Sequence, residues 1–427
     1  MTGGLPAIRV GVALLLLLLT GTAGAHADGL LAAFDIAPGA DGLLLETTFG
    51  WVHQDAPGGP FTWTCHEGIT SPDARLSPRL ARSSEDVWLA TVADLAQVRD
   101  AGESVYRTTD NGCSWEPPTG LSGHTISALA FDPDDPSRAV AVTADPSGDN
   151  GVFSSSDAGL SWSPTPLAAA DREWTGLVIA GGAVWTTSAS LDAGEAWVHR
   201  SVDAGDTWDS HPIDLTPWAD RAPLRVRVLT ASPSAPDQAW VVVGSLDGDA
   251  LLHITEGGAR QASVFDVVGD LVDAAVDADG AVWLSESGQR LHRAPDGRTF
   301  AEEPEAVPGV GVATLGTDVY IAAYADLTGQ LLATGPAGGP YETLLRPQDI
   351  VGPATCPEGT DHARACSGLW SDLYIRLQRY TPATDTGLSG DGDSGGSGKA
   401  GAGDSDCGCN SAPGLGLGWL IGALGRR

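Results

Sequence analysis

Acidic side chains dominate the residues with chemical potential: 55 aspartates and glutamates stand against 23 lysines and arginines, a formal charge of −32. Two carboxylates facing each other about 5–10 Å apart would suffice to hydrolyse a glycosidic bond, one as acid, the other as base or nucleophile. Four aspartates, Asp110, Asp157, Asp203 and Asp296, recur in similar surroundings, and four of the nine histidines, His53, His199, His253 and His292, recur at another fixed position. A catalytic residue is needed once, so recurrence points to architecture. His66, His124, His211 and His362 fall in loop-like stretches with no spacing signal. No Ser/His/Asp set stands out, and neither the Gly-x-Ser-x-Gly elbow nor a zinc-ligand spacing occurs, so no catalytic residue, metal or cofactor is expected. Arg225 and Arg227 alternate on one strand face in LRVRVL and are expected to meet solvent or acidic neighbours. The negative charge repels phosphate backbones and anionic headgroups, which argues against nucleic acid as a partner.

The elements that must hold these residues form a repeat. VYRTTDNGCSW (Val105–Trp115), VFSSSDAGLSW (Val152–Trp162) and VHRSVDAGDTW (Val198–Trp208) are nearly superimposable, with their tryptophans 47 and 46 residues apart. That period suits one four-stranded propeller blade. The aromatic or histidine position extends the series through His53, Tyr106, Phe153, His199, His253, His292 and Leu332, and four residues later come Pro57, Asp110, Asp157, Asp203, Gly257, Asp296 and Pro336. Trp88, Trp185, Trp240, Trp283 and Tyr320 mark a second strand position. Apolar residues alternate with small or polar ones between Gly/Pro/Asp turns, the pattern of short antiparallel strands. The expectation is an all-β, seven-bladed propeller of four-stranded antiparallel blades over residues 28–380.

The motif has a structural physics. The aspartate side chain accepts backbone N–H groups of its own turn. Gly159 takes a positive φ without steric cost, the hydroxyl before the tryptophan closes the turn, and Trp162 buries its ring against the sheet. The residues Asp110, Gly112 and Trp115, Asp157, Gly159 and Trp162, and Asp203, Gly205 and Trp208, with Asp296 from a fourth copy, resemble the Asp-box, or bacterial neuraminidase, repeat Ser/Thr-x-Asp-x-Gly-x-Thr/Ser-Trp. Sialidases, sortilin-type receptors, some plant-polysaccharide hydrolases and a photosystem assembly factor share that repeat. The resemblance implies a sialidase-like propeller in which the box is peripheral and not catalytic. A sialidase would hold its substrate with three arginines, the first in the first blade, beside a Tyr/Glu pair and an aspartate acid/base. Residues 28–74 contain no arginine.

Both ends of the chain read as sorting segments. Arg9, the apolar stretch Val10–Leu19 and the small residues of Ala25-His26-Ala27 compose a signal peptide over 1–27, too short to span a bilayer. Residues 381–406 are rich in Gly, Ser and Asp and read as a flexible linker. Residues 407–427 then carry Cys407 and Cys409, an apolar run Leu415–Leu424, and Arg426 with Arg427. This end resembles the myxobacterial C-terminal sorting signal (MYXO-CTERM), which implies processing at the cysteines by sorting machinery, surface delivery, and membrane contact through this segment alone. Export places folding in an oxidising space, where Cys65, Cys113, Cys356 and Cys366 are expected to form two disulfides. Cys65 and Cys113 lie close in repeat terms and Cys356 and Cys366 bound a short loop, but connectivity stays open.

The reading that emerges is an exported, surface-anchored, non-catalytic propeller that binds a glycan or protein partner or acts as an envelope display domain. Trp174, Trp218 and Trp370 lie outside the repeat anchors and are the candidates for ligand contact, with packing between blades as the other role open to them. A secreted glycoside hydrolase with a carboxylate pair hidden among 55 acidic residues is the alternative.

Overall fold

A computed structural model describes residues 33–379, apart from the short stretches 40–41, 71–77, 84–86, 93–98, 101, 146–147, 149, 191–192, 222, 224, 288–289 and 305. The expected signal peptide, linker and sorting segment, the last with Cys407, Cys409, Arg426 and Arg427, lie outside the described residues.

Each blade is a meander, because short strands joined by tight turns pair with their sequence neighbours. Seven sheets result. They span residues 33–64, 79–108, 126–168, 173–212, 225–267, 271–302 and 311–345, and we number them as blades one to seven. Blades three to seven have four antiparallel strands, whereas blade two has three plus an isolated Arg107–Glu116 bridge. Alternating strands give every blade two apolar faces, and neither can be buried alone. Packed radially, the blades enclose seven separate apolar clusters, one at each interface.

Propellers commonly close by mixing N- and C-terminal strands in one blade. Here the mixing is at the edge of blade one, whose four N-terminal strands take a fifth from the tail, while blade seven uses only later residues. The seam is closed by apolar packing, by the Ala33 N–H bonded to Ala323 O at 3.1 Å, and by a tail. The tail strand Ile350–Pro353 pairs in parallel with Phe61–Thr64 as a fifth strand of blade one, and the helices Asp361–Ala365 and Trp370–Arg379 follow. Two disulfides fasten it, Cys65 to Cys366 and Cys113 to Cys356, across 301 and 243 residues. All four cysteines named from the sequence are used. Neither the short 356–366 loop nor the 65–113 proximity sets the pairing, because the tail returns to the first two blades.

Candidate functional site at the channel mouth

The Asp turns fold as the motif requires. Asp157 Oδ1 accepts Ser161 N–H at 2.9 Å and Ser155 Oγ–H at 2.8 Å, and Trp162 Nε1–H reaches Gly159 O at 3.1 Å. Asp203 does the same with Thr207 N–H and Ser201 Oγ–H, and the Thr207 hydroxyl that it also accepts, then these two bonds, hold its carboxyl down at about 2. Asp296 reproduces the capture in a turn one residue shorter, accepting Thr299 N–H at 2.6 Å. The sequence reading missed the hydroxyls of Thr108, Ser155 and Ser201, which accept the glycine N–H and donate to the aspartate. It also missed a second reason for glycine. A Cβ on Gly159, whose φ is +77°, would lie 2.7 Å from Leu89 of the preceding blade.

The ruler residues all fall on third strands. In blades one and five they run one residue out of step. The Gly59 N–H to Ala56 O and Ala259 N–H to Glu256 O bonds match Cys113 N–H to Asp110 O, so Ala56 and Glu256 fill the aspartate slot in place of Pro57 and Gly257. One residue turns a strand side chain to the other face. His53 therefore packs on Trp88 of blade two, and His253 stacks on Trp240 and accepts Arg298 Nε–H of blade six at 3.1 Å. Tyr106 and Phe153 instead face the preceding blade. All four histidines remain packing residues, and burial, the leading cause, pulls His199 down to about 3 and His253 to about 4.

Two of the three tryptophans named as candidates for ligand contact take their other expected role, packing between blades. Trp174 is fully buried between blades three and four, and Trp218 is buried between blades four and five. Their large rings fill interface space that the short strands leave open. Trp370 is half-buried against Trp63 and Tyr374 beneath the tail. Trp174 and Trp218 offer no face to a ligand, whereas Trp370 stays partly exposed. His211 lies on the outer strand Asp209–Pro212 and His362 in the tail helix, so those two are not loop residues.

Charged chemistry concentrates elsewhere. Inner strands start at the end of the disc opposite the Asp turns, because the blades are antiparallel meanders. At that end Arg225 Nη2 binds Asp249 Oδ2 at 2.6 Å and Asp270 Oδ1 at 3.0 Å, and Asp249 also accepts Leu271 N–H at 2.7 Å. Asp249 is fully buried, and burial raises its pKa against the pull of Arg225. Gly244 makes the pair fit, since a Cβ there would lie 2.5 Å from Arg225 Nε. Arg227, two residues along the strand, donates Nη2–H to Leu271 O at 3.2 Å and to Val272 O. Burial, then Arg225, lowers its pKa to about 10. Asp273 Oδ1 accepts Ala274 N–H and Oδ2 accepts Val312 N–H, both at 2.9 Å. Arg225 meets acidic neighbours as expected, whereas the hydrogen bonds of the partly exposed Arg227 go to carbonyls. A chamber of about 320 Å³ lies along the channel, walled by Ile36, Val178, Ala231, Asp273, Ala275 and Val312 among others. On the rim, Leu246 is 87% and Val268 89% exposed.

No family model matches the chain, and no curated protein matches its sequence. Solved structures do. The chain is similar to a puromycin-hydrolyzing peptidase of Mycobacterium tuberculosis at 14% identity and a TM-score of 0.52, covering 78% of this chain and 56% of that one. A study of two prolyl endopeptidases gives 12% identity and a TM-score of 0.50, over 74% and 50%. The GH74 enzyme of Niastella koreensis gives 12% and 0.42, over 73% and 65%. The chain thus spans about half to two thirds of the length of these proteins, and likeness at such identity establishes the propeller alone.

Proposed function

We propose that this chain is an exported Asp-box propeller, held at the cell surface through its C-terminal sorting segment, that binds a glycan or protein partner or serves as an envelope display domain. One observation carries the non-catalytic reading: the carboxylates at the channel already have structural partners. Asp249 and Asp270 share Arg225, and Asp273 is bonded to two backbone N–H groups. A general acid must instead reach the glycosidic oxygen and release its proton there. The recurrent aspartates are likewise consumed by their turns. Two disulfides suit an oxidising compartment, which supports export.

The second reading, a glycoside hydrolase, draws on one feature. Asp249 has a raised pKa beside Asp270, the relation of an acid to its partner carboxylate, yet no part of it meets solvent. Incubating the purified chain with chromogenic glycosides and, in parallel, with immobilised glycans separates the two. Saturable binding without turnover is the expected result. Turnover without stable binding overturns the proposal.

A further inference from the structure

We propose that the channel holds a small amphiphilic carboxylate, its apolar tail in the chamber and its anionic head on the Arg227 guanidinium. This deepens the binding reading and rests on it. The argument starts from an unequal pair of arginines. Arg225 is paired with two carboxylates, whereas Arg227, on the same strand face, donates only to carbonyl oxygens and makes no ion pair among the described residues. A guanidinium carries five N–H donors in a planar fork that matches a carboxylate. Among the described residues only Nη2 of Arg227 is engaged, which leaves the rest of that fork open.

The surroundings set the sign of the missing group. Arg225 and Arg79 act on Arg227 as like charges and Asp273 and Asp249 as opposite ones, but neither carboxylate forms an ion pair with it, and Asp273 has its two oxygens on backbone N–H groups. A half-buried guanidinium with no carboxylate on its fork gains from one that binds there. The wall sets the rest of the ligand. Leu271 and Val272, whose carbonyls hold Arg227, are followed directly by Asp273, where the chamber wall begins. Beyond Asp273 the lining is alanine, valine, isoleucine, threonine and proline, and the volume of about 320 Å³ falls at the small end of ligand cavities. Ala275 and Ala313 are partly exposed to it. Arg227 beside the start of the wall has open N–H donors and the lining beyond Asp273 carries methyl groups, so a ligand polar at one end and apolar at the other suits both.

Titration calorimetry with the full chain tests this, using butanoate, hexanoate, hexan-1-ol and hexylamine as probes. Hexanoate is expected to bind one to one, on the order of tenfold tighter than butanoate for two further buried methylenes. Hexylamine is expected not to bind, and hexan-1-ol to bind at least tenfold more weakly. Arg227→Gln should abolish the preference for hexanoate over hexan-1-ol, and Ala275→Leu should abolish the preference for hexanoate over butanoate. A circular dichroism spectrum and melting curve identify a variant that has not folded; Arg227→Lys, which keeps the charge and loses the fork, then takes its place and should weaken hexanoate binding. Equal binding of hexanoate and hexan-1-ol, or no hexanoate binding by the folded chain, overturns the inference. Glycoside turnover in the same preparation with hexanoate binding intact would overturn the non-catalytic reading and leave this one standing.

Discussion

Blades two and three carry almost the same turn, yet the two turns have different work. In blade three, VFSSSDAGLSW closes on itself and on its neighbour: Asp157 captures both the N–H and the hydroxyl of Ser161, and Leu160 points outward. In blade two, VYRTTDNGCSW replaces that leucine with Cys113, which is bonded to Cys356 of the tail. The Trp115 N–H goes to Asp361 Oδ2 at 2.9 Å, and the His362 N–H to Cys113 O at 3.0 Å. Arg99 completes the junction, with Nη1 3.0 Å from Asp361 Oδ2. The aspartate and glycine build the turn, and the variable position between glycine and tryptophan decides whether anything is attached to it. Here the tail shares just the short strand Ile350–Pro353 with blade one, and the attachment adds to that hold.

The largest test of this difference removes the staples. Changing Cys65, Cys113, Cys356 and Cys366 together to alanine frees loops of 301 and 243 residues. The chain-entropy model assigns a cross-link over so long a loop about 5 kcal/mol. The urea midpoint is expected to fall accordingly. Removing one pair alone should cost much less, since the other still holds the tail. Equal losses from one pair and from both would break the account of the seam.

Acid should act next most strongly, and on blade four more than on blade three. His199 occupies the position that Phe153 fills in blade three. Its ring is buried between Ser188 Oγ and Ser210 Oγ, and burial, with Arg172 adding, holds its pKa near 3 against 6.5 when free. Between pH 6.5 and 3 the unfolded chain therefore binds a proton that the folded chain refuses. Stability falls as pH falls through that window, by about 4–5 kcal/mol at its acidic end. Denaturant midpoints followed from pH 7 to pH 4 should show a shallower decline for His199→Gln than for the parent chain.

The smallest effect compares the turns directly. Asp157→Ala removes the acceptor of Ser161 N–H and is expected to cost about 1 kcal/mol. Asp110→Ala should cost less while the Cys113–Cys356 bond is intact, because the tail fixes that turn from outside. Reduction should bring the two losses together. A larger loss at Asp110 in the oxidised chain would reverse the comparison.

What was legible in the sequence follows the same division. The repeat showed the seven blades, the role of Asp110, Asp157 and Asp203 and the packing role of the histidines, because each recurs and only a shared local cause explains recurrence. It slipped at His53 and His253, where loss of the aspartate removed the anchor and a one-residue error costs nothing in composition but changes the face. Features that occur once were hidden. Cys113 meets Cys356 through a return of the tail that no period announces, and Arg225 meets Asp249 and Asp270 through strand pairings between and within blades. Trp174 and Trp218 stand outside the repeat, where ligand contact and inter-blade packing read alike, because a large ring off the repeat serves an interface equally well.

The central claim is that the carboxylates of this propeller hold structure and that its chemistry is recognition. Glycoside turnover measured on the parent chain and on Asp270→Asn tests it most directly. Asp270 is the more exposed of the two carboxylates on Arg225. The account predicts no turnover by either chain, with saturable binding to an immobilised glycan or protein partner by the parent. Turnover by the parent that disappears in Asp270→Asn, with the melting curve unchanged, would contradict it.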